Sequence, residues 1–158
     1  MTAPHREISW RKALAVYLAG SDGLHWIWET LQLPLYTIWR TGTNFEIAFA
    51  VIHCTAGDVM IAAVSLVAAV LLFQHRTWPP RRWLPVVVAT LVFGITITIY
   101  FEWLNTTVRK TWAYSDLMPT VPMLGTGLSP LLQWVVVPIC VFVIVERYSR
   151  LKPDNTRS

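Results

Sequence analysis

MIAAVSLVAAVLLF, residues 60–73, contains no charged side chain, no glycine and no proline. Read back to Glu46, it forms one apolar run over residues 46–73, interrupted only by His53, Cys54 and Asp58 among the reactive residue types. A helix of about 20 residues crosses the hydrocarbon core of a bilayer, so this run is long enough to span. Working outward, three further runs follow the same pattern, at about residues 13–39, 83–104 and 130–145. The expectation is an all-α, polytopic membrane protein. It is a single membrane domain over residues 1–158, a four-transmembrane-helix bundle with a long outer loop, residues 105–128, between the third and fourth spans.

Composition points the same way. Apolar residues make up 54% of the chain and charged residues only 14%, whereas soluble domains carry about 25% charge. The formal charge of +4 sits at the edges of the apolar runs and forms no basic stripe with interleaved aromatics, which argues against a nucleic-acid partner. Cys54 and Cys140 both fall inside apolar runs with no CxxC neighbour, so they read as small buried hydrophobes. Arg6, Arg11 and Lys12 precede a short apolar stretch, but no A-x-A site follows and the helical pattern continues through Trp26 and Leu33. That is the pattern of a retained span and not of a cleaved signal peptide.

The basic residues set the orientation. Arg6, Arg11 and Lys12 precede the first run, Arg76, Arg81 and Arg82 lie between the second and third, and Arg147, Arg150, Lys152 and Arg157 follow the fourth. The other side holds Arg40, Arg109 and Lys110. Lys and Arg concentrate in cytoplasmic loops, so a multi-pass protein of the cell membrane with both chain ends in the cytoplasm is expected. Trp10, Trp39, Trp78, Trp83, Trp103, Trp112 and Tyr148 stand near the run ends, as an interfacial aromatic belt does.

Ionisable side chains inside a span are costly and are functional candidates by default. On the first run Asp22, His25, Glu29, Gln32 and Tyr36 recur at steps of three and four, which puts them on one helix face. Pro34 is expected to kink that helix near its far end. On the second run His53 and Gly57 share a face, and Asp58 lies one position round. The third carries Thr98, Glu102 and Asn105, and the fourth opens on Ser129, Pro130 and Gln133, with a capping hydroxyl and a first-turn proline. Taking 1.5 Å per residue, Glu29 lies about 16 Å and Gln32 about 12 Å inside Arg40, and His53 about 13 Å inside Asn44. Glu29, Gln32, His53, Glu102 and Gln133 therefore map to the outer half of the bundle and predict a polar pocket opening outward. Asp22 and Asp58 lie deeper, as structural pairs or a proton path.

The 105–128 connection exceeds ordinary loop length and is rich in Trp112, Tyr114, Leu117, Met118, Met123 and Leu124. It reads as a lid folded over the helix ends, with Gly125 and Gly127 as hinges. Met118 and Met123 are soft-metal donors by type but read as packing.

Three functions fit. In the first, Glu29 with His25 or His53 exchanges a proton with a lipidic or terpenoid substrate and Glu102 stabilises a developing cation. Gln32, Tyr36, Asn105, Trp112, Tyr114 and Gln133 line the pocket, and isomerisation, cyclisation or hydration are the matching reactions. The HWIWE segment, His25 to Glu29, resembles the HxxxE pattern on an early helix of the EXPERA-type sterol isomerases. That resemblance implies a carboxylate-lined pocket in a small helical bundle. The second function is a metal or haem protein using His25, His53 and a carboxylate, although no close-spaced HxxH or HExxH pattern supports it and no metal ligand set or cofactor is assigned. The third is an accessory subunit or small transporter, docking as a homo- or hetero-oligomer through the small-residue GDVMIAAVSLVAA face.

Overall fold

The computed structural model describes residues 9–73 and 83–151. Arg6, Arg76, Trp78, Arg81, Arg82, Lys152 and Arg157, part of the charge and belt reading, lie outside the described residues. Within them the chain is all-helical. Helix α1 spans Trp10–Gln32, α2 Ile38–Thr41, α3 Asn44–Leu72, α4 Leu84–Trp103 and α5 Leu128–Leu151. No β-strand occurs among the described residues, and two isolated bridges, Tyr36–Tyr114 and Thr120–Gly127, are the extended pairings.

Local chemistry sets the helix ends. Pro34 does not kink α1 but ends it at Gln32, and Leu33–Leu35 tighten into a 3₁₀ turn. Proline lacks the N–H for the next helical bond, and its ring crowds the carbonyl four residues back. Tyr36 is therefore carried outside the helix, off the stripe on which its spacing had placed it. Helix α3 opens on a complete capping box. The Glu46 N–H donates to Thr43 Oγ1 at 3.3 Å, and the Thr43 N–H donates to Glu46 Oε2 at 2.7 Å. Pro85 opens α4, where its missing N–H costs nothing. After Trp103 the chain widens into a π-helical turn, Leu104–Val108. Helix α5 begins at Leu128, ahead of Ser129 and Pro130, runs past residue 145 to Leu151, and carries Pro138 within it.

The long helices pack as a ring in which α1 contacts α3 and α5, and α4 contacts α3 and α5. Helix α1 runs antiparallel to α5, since Tyr17 meets Phe142, Gly20 faces Val141, and Gln32 bonds Ser129. Among the described residues three helical segments are long and apolar enough to cross a membrane: Asn44–Leu72, Leu84–Val108 and Leu128–Leu151. Helix α1 falls short of that apolarity, because its buried stripe is polar.

The two ends of the bundle differ in chemistry. Ala13, Tyr17, Leu66, Ala69, Val86, Val141, Phe142 and Val145 fill one end. The other end is held by hydrogen bonds. Trp134 stands between them, fully buried. Gly94 is what lets it in. A Cβ at position 94 would stand 2.1 Å from Trp134 Cε3, so only a residue without a side chain allows α4 and α5 to approach this closely.

Candidate functional site

The buried face of α1 reads Ala13, Tyr17, Ser21, His25, Glu29 and Gln32, a step of four and then three along one side of the helix. His25, Glu29 and Gln32 are thus aimed at the bundle interior, as their spacing predicts. Their shared partner comes from α5. Gln133 Nε2 lies 2.8 Å from His25 Nδ1, and it donates to Glu29 Oε1 at 3.0 Å and to Asp58 Oδ2 at 2.9 Å. Gln32 Nε2 donates to the same Glu29 oxygen at 2.7 Å and accepts, through Oε1, from the Ser129 hydroxyl at 2.8 Å. The Trp28 indole N–H donates to Ser129 Oγ at 3.3 Å. His25 Nδ1 also stands 3.4 Å from Asp58 Oδ2.

A donor count shows what this cluster can do. A primary amide has two N–H groups, yet Gln133 Nε2 has three acceptors in range. Its two hydrogens reach two of the three at a time, and Glu29 Oε1 also accepts from Gln32 Nε2. His25 Nε2 is buried with no hydrogen-bond partner, so the imidazole has an uncommitted second nitrogen. The arrangement brings two carboxyls and an imidazole together on one amide.

A second polar group sits at the same end, against the segment that leads into α5. The Tyr114 hydroxyl donates to Glu102 Oε2 and accepts the Gly127 N–H at 2.9 Å. Tyr36 packs on Tyr114 with ring centroids 5.6 Å apart. The Trp112 indole N–H lies beside Glu102 but short of hydrogen-bond geometry. Asn105 Oδ1 accepts from the Thr111 hydroxyl at 2.9 Å. Burial, and after it the Glu102 carboxylate, hold the phenols of Tyr36 and Tyr114 above the ordinary tyrosine value, so both remain donors. The two groups are neighbours, because Tyr36 lies within electrostatic reach of both Glu102 and Glu29, and Cys54 within reach of Glu29, Asp58 and Glu102.

Two of the residues singled out from the sequence stand apart. His53 is exposed and stacks on Phe49 with centroids 5.6 Å apart, outside the cluster. Asp22 is exposed on the outer side of α1, and Ser21 takes the buried position. In place of His53, Asp58 supplies the α3 contribution. The signal was legible: Val51, Thr55, Asp58, Ala62, Ser65 and Ala69 recur at steps of four and three, the same rule that orders α1. Three side chains had no such signal, namely Trp28, Trp134, whose ring lies 5.2 Å from His25, and Ser129, which bonds across the bundle instead of capping α5. Gly57 has nothing packed against the position of its missing Cβ. Cys54 is half-buried, but Cys140 is exposed and not the buried hydrophobe its surroundings suggested. Met118 is buried against Gly127 while Met123 is fully exposed, so they do not converge. Among the described residues no group of three or more His, Cys, Asp or Glu is placed to hold a metal ion.

The chain matches no protein-family model, no curated protein and no solved structure.

Proposed function

We propose that the chain is a four-span protein of a cell membrane whose buried cluster carries out acid–base chemistry on an apolar, lipid-like molecule, in the range of isomerisation, cyclisation or hydration. The observation that carries this reading is the single Gln133 amide in reach of His25, Glu29 and Asp58 together. Ionisable groups inside a span are costly and are functional candidates by default. In this reading Glu29 and Asp58 give and take the reacting proton, His25 receives it in turn, and Glu102, oriented by Tyr114, faces a developing positive charge.

Helix α1 is assigned as the fourth span on its packing. The Tyr17 hydroxyl donates to the Ala62 carbonyl and His25 stands beside Asp58, so α1 lies along α3 and crosses wherever α3 crosses. In this reading the apolar end, which carries Arg11, Lys12, Arg147 and Arg150, is cytoplasmic with both chain ends, as the distribution of Lys and Arg along the sequence supports. The polar end then faces outward. The segment from Arg109 to Gly127 serves as its lid, held by Tyr114 on Glu102 and by the Ser115 hydroxyl donating to the Pro34 carbonyl at 3.0 Å. An apolar substrate reaches the cluster from the outer leaflet.

The test compares lipid and pigment extracts by mass spectrometry from cells carrying the wild type, a deletion, and Glu29→Gln. The expected result is one species that builds up and one that disappears in both the deletion and the variant. Identical extracts in all three sink the proposal.

A further inference from the structure

The outer face of α1 has no use in this chemistry. Ala15, Ala19, Asp22, Gly23, Trp26 and Thr30 form one exposed stripe. Lys12 marks one end of the span and Gln32, where Pro34 stops the helix, marks the other. Asp22 lies ten residues from each, or about 15 Å from either end, which is the bilayer midplane. Ionisable groups in spans face the bundle interior or a partner. Asp22 faces away from the bundle, and no hydrogen bond or ion pair engages it among the described residues. Lysine and arginine escape this problem by reaching to the interface, but the single CH₂ of aspartate cannot.

We infer that this face is a docking surface for a transmembrane helix of another protein, one carrying an arginine or lysine near the bilayer midplane. The inference rests on α1 crossing the membrane, as proposed above. Charge complementarity selects the partner. The surroundings of Asp22 suit a close approach, since Ala15, Ala19 and Gly23 leave room for a second backbone and nothing lies within 4 Å of a Cβ at Gly23. A second copy of this chain does not fit. Two such faces would oppose Asp22 to Asp22, and the four apolar runs hold no lysine or arginine. His53 of another copy would miss in depth by about 12 Å, because His25 and Asp58 are level, His53 lies five residues outward of Asp58, and Asp22 three residues inward of His25.

The experiment uses the full chain in phosphatidylcholine vesicles, donor-labelled, with acceptor-labelled leucine–alanine transmembrane helices as probes. One probe carries a central arginine, one a central leucine and one a central aspartate. The wild type is expected to bind the arginine helix about tenfold more tightly than the leucine helix. Asp22→Asn removes that preference, and Asp22→Lys transfers it to the aspartate helix. Equal binding of the arginine and leucine probes, a preference that survives Asp22→Asn, or self-association that depends on Asp22 each overturns the inference. Asp22→Cys in a Cys54→Ala/Cys140→Ala background separates the two levels. Labelling of that variant by a membrane-impermeant maleimide refutes α1 as a span, and with it the reading this rests on. A variant that escapes labelling, together with a wild type that shows no arginine preference, refutes the docking surface alone.

Discussion

Replacing Gly94 by alanine adds one methyl group where the bundle has no room for it. The new Cβ would lie 2.1 Å from Trp134 Cε3 and 2.4 Å from Cζ3, well inside the 3.5–4.0 Å of a normal carbon contact. Something must move by more than 1 Å (about the shortfall against that contact). Trp134 is fully buried and lies against His25 at 5.2 Å between centroids, so its ring cannot swing aside without pressing on the polar cluster. Overpacking of this kind costs about 1–3 kcal/mol, and the rigid surroundings place Gly94→Ala near the top of that range. For a chain of this size the loss corresponds to a fall in Tm of about 5–10 °C, measured by thermal unfolding in detergent. Two controls make the assignment specific. Gly57→Ala, where nothing meets the Cβ, is expected to leave Tm unchanged or raise it, since alanine favours a helix by about 1 kcal/mol over glycine. In a Trp134→Phe background the further cost of Gly94→Ala is expected to shrink by at least about 1 kcal/mol. A Gly94→Ala protein as stable as the wild type, or an undiminished cost in the Trp134→Phe background, would refute the claim that α4 and α5 meet through this pair.

Gln133→Leu leaves Glu29, Asp58 and His25 without their shared amide and is expected to cost about 3 kcal/mol, read as a lower melting temperature that Gln133→Asn does not fully restore. Tyr114→Phe removes the donor to Glu102 and the acceptor for the Gly127 N–H, so amide exchange across residues 109–127 is expected to speed up while the exchange of α3 and α4 is unchanged. The same variant has a pH signature. Because burial and then Glu102 raise the Tyr114 phenol in the folded chain, the stability it contributes is whole below about pH 10 and declines as pH rises from there toward the folded-state value. The difference in unfolding free energy between wild type and Tyr114→Phe is therefore flat through neutral pH and narrows in strong alkali. Thr43→Ala breaks the capping box of α3 and is expected to cost about 1 kcal/mol, visible as faster exchange of the Glu46 and Ile47 amides with no change at the cluster.

The parts of this architecture that follow from periodicity were readable in the sequence. The stripe His25, Glu29 and Gln32 is buried because a step of four and three keeps side chains on one face, and the apolar run over 60–73 is a helix because nothing in it stops one. What periodicity cannot give is the rotation of one helix against its neighbour. His53 and Asp58 are both polar and lie five residues apart on α3. The recurrence of Val51, Thr55, Asp58, Ala62, Ser65 and Ala69 marks the face that holds Asp58 and leaves out His53, but only the packing of α3 on α1 shows that this face meets the α1 stripe. Asp22 misled for the opposite reason. It lies three residues from His25, but the stripe continues four residues back, to Ser21, and that one position carries Asp22 round to the outer face. The end of α1 is a matter of local chemistry of a different strength. Pro34 was read as a kink because spans tolerate proline, but with Thr37 to Arg40 turning into α2 no continuing helix remains to be kinked. Gly94 against Trp134 was beyond the sequence altogether, since a close approach is a property of two chains of atoms and not of one residue.

The uneven chemistry of the bundle explains how a helix as polar as α1 can belong to it. Between apolar helices in lipid there is no hydrophobic force to choose one packing over another, and association depends on close contact and on hydrogen bonds. The apolar end supplies the first, through Ala13, Ala62 and Ala69 and the Gly94 gap that admits Trp134. The polar end supplies the second, and it does so with partners from different helices: Asp58 from α3, and Ser129 and Gln133 from α5. Ser129 and Gln133 of α5 bond His25, Glu29 and Gln32, and Asp58 of α3 stands beside His25 and accepts from the same Gln133 amide. The α1 stripe is therefore complementary to the α3–α5 pair and mismatched to lipid, so the same contacts that build the polar cluster also fix the position and rotation of α1. The proposed chemistry and the assembly would draw on one set of side chains, which is why a substitution at Gln133 is expected to register in both.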